Sequence, residues 1–524
     1  MAVQKERWGT RVGLVLAMAG NAVGLGNFLR FPAQAAQNGG GAFIIPYLIS
    51  FVVMGIPLLY IEWAIGRHGG KYGHHSTPGM FDVLGKSRLL KYIGVFGLFA
   101  NLTIAAYYCY IESWTLSYVF HSITGTFSEI LPTDFFPKYL GLHEDSIFAI
   151  PPEAVFWFVL TLGINVWILS RGLAKGIEVA AKIGMPLLII FGIVLAIKGL
   201  TLDSGDPGVI DSPLSGLNFV WQPNFSGLTN PTTWLAAAGQ IFFTLSVGMG
   251  TIHAYASYLK SKDDIVLSGL TTSSTNEFAE VILGGSIAIP AAVAFFGLAM
   301  TTQIAAGGSF DLGFVSMPLI FEKIPFGAFF GFIWFLLLFF AGITSSVAMG
   351  QPVIAFMEDE FKMSRRRATA TLAVVVLIAV QFVVFFLKYG FLDEMDYWAG
   401  TFGLVLFAFM ETVLFMWVFG GKKAWNEMND GGDIAIPGFF YFIMRYVTPL
   451  VLFAIMLWWF VQDAIPTLLL SKADPQNVPY IWGARILMVL LFAGLCYLVR
   501  KAWHRENREV VTLNSNFEKS GESL

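Results

Sequence analysis

The sequence predicts an all-α polytopic membrane protein. Twelve transmembrane helices are expected, the first ten as a 5+5 inverted repeat with helices 1 and 6 unwound at the midplane. Three observations carry this expectation. Apolar segments of spanning length recur along the chain, lysine and arginine sort into alternate loops, and two segments in matching positions are interrupted by glycine and polar residues.

Composition sets the class. The chain of 524 residues is 56% hydrophobic and 13% charged, with a mean hydropathy of +0.67. Soluble domains carry about 25% charged residues. A net charge of −3 gives no pull toward nucleic acid. Both cysteines, Cys109 and Cys496, lie in apolar segments, so no disulfide framework is expected. The N-terminus lacks a short apolar run with a small-residue cleavage site, so no removable signal peptide is expected.

A span needs about 20 mostly apolar residues. In order, spans are expected near 11–36, 42–69, 89–123, 153–170, 177–199, 232–258, 266–297, 328–359, 367–387, 391–418, 439–463 and 480–501. Of the 32 lysines and arginines, 25 fall in the loops and tails of one side, six on the other, and Arg30 lies within the first span. That bias puts both termini in the cytoplasm of a cell-membrane protein. The division expected is a cytoplasmic segment 1–10, one transporter domain 11–502 and a disordered cytoplasmic tail 503–524. Within the domain, repeat one covers about 11–200, repeat two about 232–418, and two extra helices about 439–501. No residue-level repeat links the halves, so the repeat rests on position and span count.

The first span carries Gly20-Asn-Ala-Val-Gly-Leu-Gly-Asn27 at its centre. Glycine costs about 1 kcal/mol against alanine inside a helix, and asparagine competes for nearby backbone groups. A helix that opens here frees carbonyls for a cation and amides for an anion. The plain alternative is close helix packing on glycine. The two asparagines and Arg30 argue for a binding site, because polar groups inside a membrane are functional by default. The sixth span is broken in the same way by Gln240 to Gly250. Paired interruptions of this kind mark a transporter site between inverted repeats.

Other spans carry polar groups at similar depth. Tyr107 and Tyr108 sit midway along the third span, and Asn276 and Glu280 share one face of the seventh. The eighth carries Thr344, Ser345 and Ser346, followed by Gln351. One hydroxyl in a membrane helix bonds back to its own turn; three together face a partner. Oxygen-only ligands suit a hard cation. The seven histidines are scattered, and neither a nucleophile–base pair nor a metal-ligand cluster is visible, so the chain is not read as an enzyme.

Trp8, the run from Gly20 to Pro32, Asn38-Gly-Gly-Gly-Ala-Phe43, Gly239-Gln-Ile-Phe-Phe-Thr-Leu-Ser246, Ala256-Ser-Tyr258, Phe340-Ala-Gly-Ile-Thr-Ser-Ser346 and Asp393-Glu-Met-Asp396 carry a resemblance. The chain resembles the neurotransmitter:sodium symporter family, most of all its bacterial leucine-transporting members, over nearly its whole length. The resemblance implies sodium-coupled symport of small to mid-sized apolar amino acids (the leucine, methionine and alanine class) by alternating access. It implies two sodium ions and no organic cofactor. One ion would use Ala22, Asn27, Thr244 and Asn276, with the substrate carboxylate. The other would use Gly20, Val23, Ala341, Thr344 and Ser345. The substrate carboxylate would meet the amides of Leu25 and Gly26 and the Tyr108 hydroxyl. Its ammonium would meet carbonyls near Ala22, Phe243 and Thr244, with Ser246. Val23, Ile104, Phe243, Met249, Ser345 and Met349 would line the side-chain pocket.

The same resemblance implies gates. Arg30 would pair with Asp396 above a lid of Tyr108 and Phe243, and Trp8 and Asp359 would close the inner side with Lys5. Lysine cannot form arginine's planar two-pronged pair, so a looser inner gate is expected. Gly24 stands where amine-transporting members carry aspartate, so the substrate should bring its own carboxylate. Glu280 stands where chloride-dependent members carry a smaller neutral residue, so no chloride requirement is expected. Membrane lipid is the expected surrounding and nucleic acid is not a partner; a homodimer is compatible with the family. The alternatives from other classes are an ion channel and an amino acid-binding membrane sensor without coupled transport.

Overall fold

In the computed structural model, residues 6–143, 150–203, 205–471 and 473–520 are described, the side chains from 505 onward excepted. Those residues are helical or irregular, with no strand among them. Among the described residues, ten helices are long and apolar enough to span a membrane. We label the helices that matter in chain order. α1 is Arg11–Ala22, α2 Leu25–Phe28 and α3 Arg30–Gln37. α4 is Gly41–Lys71, α5 Leu90–Thr124, α6 Pro152–Ser170 and α7 Leu173–Leu200. α8 is Pro231–Leu245 and α9 Thr251–Ala256. α10 is Val266–Gly307, α11 Gly327–Phe361, α12 Arg365–Tyr389, α13 Phe391–Asn429 and α14 Phe439–Leu468. α15 runs Val478–Ser520. The tail expected from 503 begins within this helix, and residues 521–524 lie outside the described residues.

Two helices hold the centre. The most apolar stretches of α5 and α10 are 78% buried, against 28% for α14 and α15. α5 packs along α11, and α11 also lies against α7 and α1. Large rings fill the gaps: Trp63, Trp114, Trp334 and Tyr118 are fully buried. α7, α14 and α15 expose Ile190, Ile197, Leu450, Phe453, Val489 and Leu490. Apolar side chains on the rim and polar ones inside are the pattern of a bundle solvated by lipid.

Several helices contain wide π turns, among them Phe51–Gly55, Phe278–Gly284 and Asp396–Phe402. α10 kinks at Gly297, whose φ of 74° lies in the left-handed region open to glycine. That glycine is where the apolar pattern of the seventh expected span ends.

Candidate functional site

Two interruptions face each other at the centre. α1 stops at Ala22, and Val23 and Gly24 are extended before α2 begins at Leu25. The local reason is Asn27, whose Oδ1 accepts the Gly24 N–H at 2.9 Å. The side chain thereby takes a backbone bond that a continuous helix would have used. α8 stops at Leu245; Ser246, Gly248 and Gly250 then take left-handed φ values of 54°, 72° and 93° before α9. Ser246 is the informative one, because a non-glycine residue held there stores strain, and such residues cluster at functional sites. Its hydroxyl donates to the Asn21 carbonyl at 2.9 Å and ties the second break to the first.

The resemblance-derived residues gather around this joint. The Leu25 amide donates to the Tyr108 hydroxyl at 3.2 Å. Ser345 donates to the carbonyls of Gly20 and Asn21, 3.3 Å each. Thr344 bonds back to Phe340 and Ala341 at 2.8 and 3.2 Å, with its Cβ against Gly20. Val23, Ile104, Met249 and Met349 are all buried. A Cβ built on Gly26 would meet the Phe243 ring at 2.6 Å, so glycine there lets the ring close over the amides.

A second polar knot lies beside it. Asn27 Nδ2 donates to Thr244 Oγ1 at 3.1 Å and to Asn276 Oδ1 at 2.9 Å. Asn276 Nδ2 reaches Thr244 at 2.9 Å. Glu280, fully buried on the wide turn Phe278–Gly284, accepts from Thr244 through one oxygen and from Gln240 through the other. The donors here are oxygens from amide and hydroxyl with one carboxylate, a set that fits a hard cation.

The expected gates differ from the resemblance. Arg30 and Asp396 line one cavity of about 410 Å³, which runs down to Leu25, Gly26 and Tyr108. They form no ion pair in this structure. Arg30 instead lies over the Phe243 ring, 4.6 Å from its centroid, and Asp396 accepts from the Tyr107 hydroxyl at 2.6 Å. Both charges hold aromatic partners, which leaves the cavity between them open. On the opposite face Trp8 Nε1 donates to the Tyr255 carbonyl at 3.0 Å. Asp359 accepts the His75 N–H at 2.7 Å; Lys5 lies outside the described residues. Arg365, which sequence reasoning did not single out, gathers several partners on this face. It meets Glu6 at 3.2 Å, Glu358 at 3.3 Å, Gln351 at 2.7 Å and the Leu169 carbonyl at 2.8 Å. Its place in a basic run made it look like loop charge.

The histidines are scattered in sequence, yet the fold sets His253 between Glu62 and Glu411, with one polar atom of each within 4.8 Å of the others. Residues far apart in the chain gave no spacing to read.

Comparisons with known proteins agree with this architecture. The family model described as the sodium:neurotransmitter symporter family matches residues 5–132 and 131–493. An uncharacterized sodium-dependent transporter of Methanocaldococcus jannaschii is 32% identical over 489 residues, covering 93% of this chain and 96% of that protein. A sodium- and chloride-dependent neutral and basic amino acid transporter B(0+) of Mus musculus is 25% identical, covering 92% of this chain and 83% of that protein. The crystal structure of MhsT in complex with L-phenylalanine aligns with a TM-score of 0.75 at 30% identity, covering 87% of this chain and 99% of that one.

Proposed function

The chain belongs to the sodium:neurotransmitter symporter family, and from that premise we propose that it is a sodium-coupled, chloride-independent symporter of apolar amino acids working by alternating access. The observation that carries this reading is the joint of two helix breaks. Their amides, carbonyls and hydroxyls converge on one buried place between α5 and α11.

A zwitterionic amino acid fits such a joint. Its carboxylate suits the amides of Leu25 and Gly26 and the Tyr108 hydroxyl, at the start of a helix segment. Its ammonium suits the carbonyls near Ala22, Phe243 and Thr244. Val23, Ile104, Phe243, Met249 and Met349 give an apolar wall, and two methionines make that wall adaptable. Sodium ions belong at the knot of Asn27, Thr244 and Asn276 with Ala22, and at Gly20, Val23, Ala341, Thr344 and Ser345. A carboxylate shared by ion and protein makes each ligand favour the other, and the effect is reciprocal.

Chloride independence is supported by the Glu280 carboxylate, which already supplies a negative charge beside the knot. The interrupted pairs α1–α3 and α8–α9 add two crossings to the ten long helices, which gives twelve spans and a 5+5 repeat over about 11–418. Lysine and arginine bias puts both termini in the cytoplasm. The vestibule between Arg30 and Asp396 then faces outward, and Arg365 with Glu6 closes the inner side.

The test is uptake of a panel of radiolabelled amino acids into proteoliposomes, with and without an inward sodium gradient. Sodium-driven accumulation of an apolar amino acid is the expected result. Binding without accumulation favours a sensor, and accumulation indifferent to sodium overturns the ion sites.

A further inference from the structure

Three ionisable side chains meet in the bundle, apart from the oxygens of the joint. Glu62 comes from α4, His253 from α9 and Glu411 from α13, and all three are fully buried. His253 Nδ1 lies 3.2 Å from Glu62 Oε2, and its Nε2 lies 3.4 Å from Glu411 Oε2. The other oxygen of Glu62 accepts the N–H of Gly248 at 2.5 Å. Both ring nitrogens, both oxygens of Glu411 and Oε2 of Glu62 have no well-formed hydrogen bond among the described residues.

The surroundings offer no compensating charge. Phe81 and Phe407 flank the imidazole, with centroids 6.0 and 6.1 Å away. Among the described residues, no lysine or arginine pairs with either glutamate. Arg67, further along α4, is held by Glu427 and the carbonyls of Asp263 and Asp430, and His68 faces Glu427 as well. The polar groups at the start of α9, Thr77 and Asn101, are neutral and bonded to carbonyls.

Charge counting then decides what the cluster holds. With an imidazolium and two carboxylates the site carries −1, and one more proton makes it neutral. An uncompensated buried charge is costly. A single metal ion uses only one nitrogen of a ring, whereas here the two nitrogens face different carboxylates. Each nitrogen thus lies within ion-pair distance of its own carboxylate, and only a ring carrying both protons can serve two acceptors at once.

We propose that Glu62, His253 and Glu411 form a proton-binding site whose occupancy is linked to the second helix break. The link is the Gly248 N–H, one residue before Met249. It donates to Glu62, and a carboxylate accepts that bond more strongly than a protonated acid does. Proton occupancy and the shape of the break therefore shift together, and the linkage runs both ways. The proton comes from water and returns to it. The coupling to substrate rests on the reading of the break as the amino acid site.

The test uses the full chain in detergent, weakly buffered, with a pH indicator. Sodium and the transported amino acid are added at a series of pH values, with parent protein and His253→Gln compared. The expected result is a proton uptake or release in the parent that is lost in His253→Gln, while binding persists. An equal proton change in the variant, or none in the parent at any pH, overturns the proposal. So does a stoichiometric bound metal by elemental analysis. If no amino acid binds, the proposed function fails, and the site is judged on the pH dependence of thermal unfolding without ligand. Loss of part of that dependence in His253→Gln supports the site, and an unchanged profile overturns it. Glu411→Gln serves in the same assays if His253→Gln does not fold.

Discussion

The backbone amide of Leu25 donates to the phenolic oxygen of Tyr108 at 3.2 Å, from opposite sides of the joint. A hydroxyl that accepts from the break still has its own hydrogen to give. It is free to donate to a carboxylate that sits beside those amides. Tyr108→Phe removes that donor and leaves the ring. A buried hydrogen bond to a charged group contributes about 1.5–3 kcal/mol, so the amino acid Kd should rise about tenfold or more. Equilibrium binding of the radiolabelled substrate checks this, and an unchanged Kd counts against it.

Gly24 leaves room that no other residue leaves. A Cβ there would stand 2.9 Å from Ser345 Oγ and 3.0 Å from the Tyr108 hydroxyl. Gly24→Ala should lose sodium-dependent binding while keeping its elution profile and thermal stability. Binding at parental strength would show that the space beside Tyr108 and Ser345 is not the ligand's.

Glu280 accepts from Thr244 and Gln240 within the polar knot, and on the proposed reading its carboxylate supplies the negative charge there. Glu280→Ser should transport only when chloride is present, because a mobile anion then replaces the lost carboxylate. Uptake by the variant in chloride-free gluconate buffer, equal to uptake in chloride, would sink the idea.

Arg365 gathers four partners, Glu6, the Leu169 carbonyl, and Gln351 and Glu358 of α11. Arg365→Gln keeps hydrogen bonding but removes the charge and the fork. Faster amide hydrogen exchange over residues 6–22 is the expected outcome. Exchange at the parental rate would mean that Trp8 and Tyr255 close this face without it.

Asp264 gives a pH prediction outside the spans. Its Oδ1 accepts the N–H groups of Val266 and Leu267 at 2.8 and 3.0 Å and caps α10. Its Oδ2 meets Arg11 at 2.9 Å. Burial alone pushes its carboxyl up, but those backbone bonds, that of Asp433 and the Arg11 charge outweigh it, and the pKa lies below its ordinary value. A depressed carboxylate stabilises the fold above the unfolded-state pKa and loses that contribution as pH falls through the folded one. Asp264→Asn keeps an acceptor for the backbone but removes the negative charge near the helix start and beside Arg11, and should cost about 0.3–1 kcal/mol at neutral pH. The gap to the parent in thermal unfolding should hold down to about pH 4 and shrink below it; a gap that stays constant well below that pH contradicts the assignment.

How much of this was legible depends on the range of the interaction. The breaks were readable because Gly20 to Asn27 and Ser246 to Gly250 place helix-weakening residues inside apolar runs, a local signal. The Arg30 and Asp396 partners were not, since each charge chose an aromatic neighbour over the other charge. The triad of Glu62, His253 and Glu411 was invisible because only the folded bundle brings α4, α9 and α13 together. Arg365 was hidden among Arg366 and Arg367, which share its charge but not its partners.

The wide turns at Phe51–Gly55, Phe278–Gly284 and Asp396–Phe402 each hold one residue more than a regular helix needs. A helix with a spare residue has slack in its register. Deleting one residue inside such a turn can restore a regular ladder without turning the flanking parts, whereas the same deletion in a regular stretch rotates everything C-terminal to it by about 100°. Near Phe278–Gly284 a deletion outside the turn would swing Gly284, packed on the Asn27 carbonyl, away from the joint, while one inside it would not. Length in this protein is therefore adjustable where aim is not.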